Sequence, residues 1–179
     1  MSGIVTSVLD RPRLIGLLLA LASAAMLGGA FYFQHVEGLA PCPLCIAQRW
    51  AHAVVLVIGL ILALGVGGKR LGRPWLAALT LALLGSAGIA AYHVGVELHW
   101  IESAFCGVSD GANTIEDLKA QLWETDVVRC DEVPWSLFGI SMAGYNLLIS
   151  LVLAAVALFA TVRPRPKGDV WQAQPNQNA

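Results

Sequence analysis

Four long apolar blocks constrain this chain more than any other feature. They run from about Leu14 to Phe33, Ile46 to Val66, Pro74 to Val96 and Phe138 to Val162. Each holds about 20 residues or more, enough at about 1.5 Å rise per residue to cross the roughly 30 Å hydrocarbon core of a bilayer. In lipid, every backbone N–H and C=O must find its partner within a helix or a closed barrel, and a barrel strand needs about 10 residues of alternating polarity, which these blocks lack. The expected fold is an all-α membrane protein, a four-transmembrane-helix bundle forming one domain over residues 1–179. Charged residues make up only 13% of the chain, against about 25% in a soluble domain. A net charge of −1 leaves no basic surface for nucleic acid, and that class is excluded.

Basic residues set the expected orientation. Arg11 and Arg13 precede the first block, Lys69, Arg70 and Arg73 separate the second from the third, and Arg163, Arg165 and Lys167 follow the fourth. These regions, and so both termini, are expected on the cytoplasmic side. Glu37, Glu102, Asp110, Glu116, Asp117, Glu124, Asp126, Asp131 and Glu132 fall on the other side, in a short loop from about Gln34 to Cys45 and a long one from about Glu97 to Leu137. The first block continues past the cleavage-like Ala22-Ser23-Ala24 into Phe31, Tyr32 and Phe33, which suits an uncleaved helix with an aromatic end. Within the long loop, Thr114 can cap a short amphipathic helix carrying Ile115, Leu118 and Leu122, with Trp123 as its anchor. The segment 163–179, rich in Gln, Asn and Pro toward its end, reads as a disordered tail. Gly85 with Gly88, and Gly139 with Ala143 and Gly144, are small residues that permit close helix packing.

All four cysteines fall on the outward side: Cys42 and Cys45 in the short loop, Cys106 and Cys130 in the long one. A cysteine that only packs would be expected inside the apolar blocks. Cys42-Pro43-Leu44-Cys45 is a C-x-x-C at the mouth of the second helix, a pattern open to three readings: a redox pair, a metal site or an inert disulfide. The redox reading is favoured and no metal is expected, because Cys106 and Cys130 lie 24 residues apart and lack the second C-x-x-C of a zinc ribbon. Cys45 is placed at the first turn of a helix, where unpaired N–H groups and the dipole favour a thiolate.

Arg49 follows Cys45 by one helical turn, on the same face. It can stabilise a thiolate or a reduced oxygen on a ligand, or serve as an interfacial anchor. His52, three residues further on, either shares that face or, the preferred reading, is a helix-packing residue with a satisfied hydrogen bond. His93 and Glu97, spaced i and i+4 near the outward end of the third helix, are ionisable groups in a costly place; they make a plausible support for a ligand oxygen, or a pair that only holds helices together. His35, His99 and Trp100 read as interfacial.

Taken together, these stretches resemble the DsbB family of bacterial disulfide-forming membrane oxidoreductases, over nearly the full length. The resemblance is carried by Phe33-Gln34-His35-Val36, Pro41-Cys42-Pro43-Leu44-Cys45, Gln48-Arg49, Tyr92-His93-Val94-Gly95-Val96-Glu97, Cys106, Cys130-Asp131-Glu132-Val133-Pro134-Trp135 and Leu137-Phe138-Gly139-Ile140-Ser141. It implies a bacterial inner-membrane protein with its cysteine loops in the periplasm. It also implies that a DsbA-like soluble thiol oxidase, once reduced, attacks a Cys106–Cys130 disulfide at Cys106. Electrons then reach the Cys42–Cys45 pair through exchange between Cys130 and Cys42. Cys45 faces a ubiquinone or menaquinone, with Arg49 and His93 as quinone-site residues. A monomer is expected. The rival expectations are a four-helix membrane protein that binds haem through its histidines, and a scaffold whose disulfides only staple loops.

Overall fold

The computed structural model describes residues 11–66, 68–102, 114–115 and 129–163. Its elements are α1 (Pro12–His35), α2 (Pro43–Ala63), α3 (Gly68–Glu97), β1 (Ser136–Leu137), β2 (Ile140–Ser141) and α4 (Met142–Val162). All four helices are long and apolar enough to cross a membrane. Only 28% to 39% of the most apolar window of each is buried within the protein. Leu81, Leu84 and Val152 point outward from their helices. In water so large an apolar surface would be a liability, whereas against lipid tails it carries no penalty.

Helix starts follow from local chemistry. Pro12 and Pro43 occupy the first turn of α1 and α2, where a missing N–H costs nothing. Ser141 caps α4 by accepting the Gly144 N–H at 3.1 Å. The fourth helix was expected from Phe138 but begins at Met142. Phe138 (φ 51°) and Gly139 (φ 77°) are both left-handed, and they form the two-residue turn of a hairpin pairing Ser136 with Ser141 and Leu137 with Ile140. The third helix begins at Gly68, ahead of the expected Pro74, and carries that proline inside it.

Helix α1 packs along α2, and α3 along α4, with α2 and α3 joining the two pairs. Ile15, Leu19, Val55, Leu62, Leu76, Leu79, Leu83 and Ala157 form the shared core. The close approach lies between α1 and α2. A Cβ on Gly16 would stand 2.8 Å from Gly59 O, and one on Gly59 would stand 2.7 Å from Gly16 O. The expected packing glycines on α3 are a different case: Gly85 and Gly88 face open space, so that pair holds no neighbour close. Of the second set, Ala143 is buried, whereas a Cβ at Gly139 would also meet nothing.

The end of α1, the start of α2, the end of α3 and the hairpin leading into α4 gather at one end of the bundle, with the cysteines. Arg11, Arg13, Arg73 and Arg163 lie toward the other, where Arg73 donates to the Arg163 carbonyl. Apart from Thr114 and Ile115, the amphipathic helix expected in the long loop lies outside the described residues, as do Cys106 and the tail beyond residue 163.

Candidate functional site

The C-x-x-C motif is the N-terminus of α2. Cys42 is the N-cap, and its Sγ accepts the Cys45 N–H at 3.3 Å. The helix N–H expected to serve Cys45 therefore serves Cys42. Both are free thiols with their sulfurs 3.0 Å apart, well beyond the roughly 2.05 Å of a disulfide.

The two sulfurs face different surroundings. Cys42 is buried in a small cluster with Leu44, Val96 and Cys130, which is itself fully buried and disulfide-bonded. Behind it stands His93, with Nε2 3.7 Å from Cys42 Sγ and 3.8 Å from Glu97 Oε1. The Cys45 thiol, then His93 and the Cys45 N–H, hold the Cys42 sulfur down to about 4 from the usual 9.0, against burial that opposes the charge. Glu97 accepts the Ser141 hydroxyl, so one carboxylate joins the end of α3 to the cap of α4.

Cys45 instead lines a cavity of about 340 Å³ between α1, α2 and α4. Ala25, Met26, Leu27, Leu39 and Ile149 make much of its wall apolar, and Gln48, Arg49, His52 and Asn146 supply polar groups. Trp135 and Leu137 of the hairpin segment close one side, where Trp135 packs on Phe33 with ring centroids 5.0 Å apart and the Tyr145 hydroxyl donates to Leu137 O at 3.1 Å. Arg49 shares the wall with Cys45. Its guanidinium is braced on α1 by Gln34 Oε1 and by Ala30 O at 3.1 Å, over the Phe31 ring at 5.3 Å.

Of the residues singled out from sequence, Cys42, Cys45, Cys130, Arg49, His93 and Glu97 come together at one end of the bundle. Arg49 and Cys45 line the cavity, whereas His93 and Glu97 back Cys42 and do not line it. Cys106 lies outside the described residues. The disulfide at Cys130 removes its sulfur from any four-cysteine zinc set, which leaves Cys42, Cys45 and His93 as soft donors within 4.8 Å of one another. Haem ligation fits poorly. Both ring nitrogens of His52 meet protein partners, Ser23 Oγ and Asn146 Oδ1, and His93 is held between Gln48 and Cys42. Sequence reasoning passed over Gln48 and Asn146 as site residues. Their signal was an uncharged amide inside a span, which lipid tolerates only with a partner.

The family described as disulfide bond formation protein DsbB matches residues 12–160. Relatives named disulfide bond formation protein B are similar over most of their length. The one from Aromatoleum aromaticum is 30% identical over 146 residues, covering 79% of this chain and 87% of its own. That of Ralstonia nicotianae is 32% identical over 155 residues, covering 84% and 94%. That of Albidiferax ferrireducens is 36% identical over 168 residues, covering 87% and 92%.

Proposed function

The chain belongs to the DsbB family of membrane disulfide bond formation proteins, and from that premise we propose that it is a quinone-linked thiol oxidase that reoxidises a DsbA-like soluble partner. The observation that carries this reading is the division of the C-x-x-C pair. Cys42 is buried in the cluster that holds Cys130, while Cys45, packed against that cluster, also lines the apolar cavity. The pair thus lies between the other disulfide and a site for an apolar acceptor.

Cys42 and Cys45 are free and Cys130 is disulfide-bonded; in the proposed relay the partner of Cys130 is Cys106. A partner thiolate attacks Cys106, the Cys106–Cys130 bond breaks, and Cys130 leaves as a thiolate. Cys130 then attacks Cys42 of an oxidised Cys42–Cys45 pair, and Cys45 leaves as a thiolate into the cavity. The partner's second thiolate then displaces Cys106 from the mixed disulfide, and Cys106 attacks the Cys130–Cys42 bond, restoring Cys106–Cys130 and leaving Cys42 and Cys45 reduced. Each exchange forms one S–S bond and breaks one, with direction set by relative potentials. A quinone held in the cavity beside Cys45 and Arg49 would supply the sink for the two electrons and two protons released when the Cys42–Cys45 pair returns to its disulfide, so that overall the partner's dithiol becomes a disulfide. Arg49 places positive charge beside Cys45, where negative charge develops on the sulfur and on a ligand oxygen. Leu39, Ile149 and Trp135 give the cavity beside that sulfur an apolar wall. His93 stabilises charge on Cys42.

The basic residues at the end opposite the cysteines support an orientation with the cysteines outward, in the periplasm of a bacterial inner membrane. The exchange between loops is tested by trapping it. In a Cys106→Ser variant with an oxidised Cys42–Cys45 pair, Cys130 is a free thiol with no Cys106 to resolve its product, and peptide mapping is expected to find Cys42 bonded to Cys130. Recovery of Cys42 bonded only to Cys45 would contradict the route.

A further inference from the structure

A buried chain of hydrogen bonds crosses all four helices beneath the C-x-x-C pair, and the relay above uses only its first member. It starts at His93 on α3, where Nδ1 meets Gln48 Nε2 of α2 at 3.0 Å. Gln48 Oε1 accepts from Asn146 Nδ2 of α4 at 2.6 Å. Asn146 Oδ1 lies 2.7 Å from His52 Nε2 and accepts the Ser150 hydroxyl at 3.2 Å. His52 Nδ1 meets Ser23 Oγ of α1 at 3.3 Å. Ser86 Oγ closes the far side, 3.4 Å from His52 Nε2 and 3.1 Å from Ser150 Oγ. All seven residues are buried, and no buried side-chain N or O among the described residues lacks a partner.

The amides give the chain a polarity. An amide nitrogen only donates and an amide oxygen only accepts. His93 Nδ1 faces Gln48 Nε2, so it must accept, and the proton of the neutral ring sits on Nε2. At the other end, Asn146 Oδ1 faces His52 Nε2, which must donate, leaving His52 Nδ1 to accept from Ser23. Turning either amide alone would set acceptor against acceptor between Gln48 and Asn146, or donor against donor, where the 2.6 Å bond now stands.

We infer that His52, Asn146 and Gln48 are positioning residues that fix the tautomer of His93 and hold its Nε2–H toward Cys42. With the proton on Nδ1 instead, a nitrogen lone pair would face the Cys42 sulfur whenever that sulfur is charged. The inference rests on the relay reading for its purpose, but its geometry does not depend on turnover. A packing role for His52 makes a different prediction, because leucine would fill the same space among apolar helices without any donor.

The test reads the tautomer directly, by nitrogen NMR of the reduced, full-length protein with ¹⁵N-labelled histidine in detergent micelles. The His93 signal is assigned by its loss in His93→Asn. The wild-type ring is expected to carry its proton on Nε2. His52→Gln, which keeps an N–H toward Asn146, is expected to preserve that state. His52→Leu and Asn146→Leu are expected to shift the proton to a mixture of Nε2 and Nδ1. A wild-type proton on Nδ1 would overturn the inference without any variant, and so would an Nε2 state unchanged in both leucine variants. Absence of quinone reduction would sink the proposed function but leave this result standing.

Discussion

The Cys42 and Cys45 sulfurs lie 3.0 Å apart, yet only Cys45 lines the apolar cavity, while Cys42 is buried beside His93 in the cluster that holds Cys130. One helical turn thus separates the side of the site that can exchange with another cysteine from the side that can meet an apolar ligand. The consequences can be tested one at a time.

Arg49→Ala is expected to raise the apparent KM for quinone by about tenfold or more, the effect of losing one charge-assisted hydrogen bond of about 1.5–3 kcal/mol. Single-turnover exchange with the reduced partner should be unchanged, because Arg49 lies on the cavity wall and not beside Cys130. An equal loss in both measurements would indicate that bracing of α1 through Gln34 and Ala30 is what the arginine supplies.

The ultraviolet absorbance of thiolate, taken as the difference between reduced wild type and Cys42→Ala, should already be present at neutral pH. It should disappear on acidification through about pH 4, and not first appear near the ordinary thiol value of 9.0. The sign for stability follows. Between those two values the unfolded chain holds a proton that the folded one has released, so stability rises with pH across that window. The contribution is complete above 9.0 and is lost as pH falls through about 4.

Gly59→Leu is expected to lower the Tm in micelles, by the roughly 1–3 kcal/mol typical of overpacking, because even its Cβ meets the Gly16 backbone at 2.7 Å. Gly85→Ala is the contrasting case. Its Cβ meets nothing within 4 Å, and in a helix alanine is favoured over glycine by roughly 0.5–1 kcal/mol. Thermal unfolding of the two variants should therefore move in opposite directions.

Ser141→Ala removes both the cap of α4 and the donor to Glu97. A lost cap costs about 1 kcal/mol, and an unsatisfied, partly buried carboxylate adds about 1–3 kcal/mol. A chemical melt in micelles measures the loss. A Ser141→Thr variant, which keeps the hydroxyl, should recover most of it.

The four spans were legible because apolar length alone decides them. The boundary at α4 was missed because Phe138 reads as part of the apolar run, although Gly139 beside it was the sign of a turn. That Cys42, and not Cys45, is the helix cap was also available from Pro43, since proline favours the first helical position and puts the cap one residue earlier. The spacing of His93 and Glu97 gave their pairing, but not their target. Whether that pair faces a cavity or Cys42 depends on the rotation of α3, which no local pattern contains. The link from Gln48 to Asn146 bridges residues 98 apart in sequence. Each was visible as a polar group in a span that needs a partner, but only the packing of α2 against α4 selects which.

The most direct measurement of the account is quinone reduction by the purified protein, with a reduced DsbA-type protein as electron donor. Loss of the quinone absorbance, abolished in Cys45→Ala and in Cys106→Ala, is the predicted result. An intact, folded preparation that reduces neither ubiquinone nor menaquinone analogues, or a Cys106→Ala variant that turns over at the full rate, would contradict it.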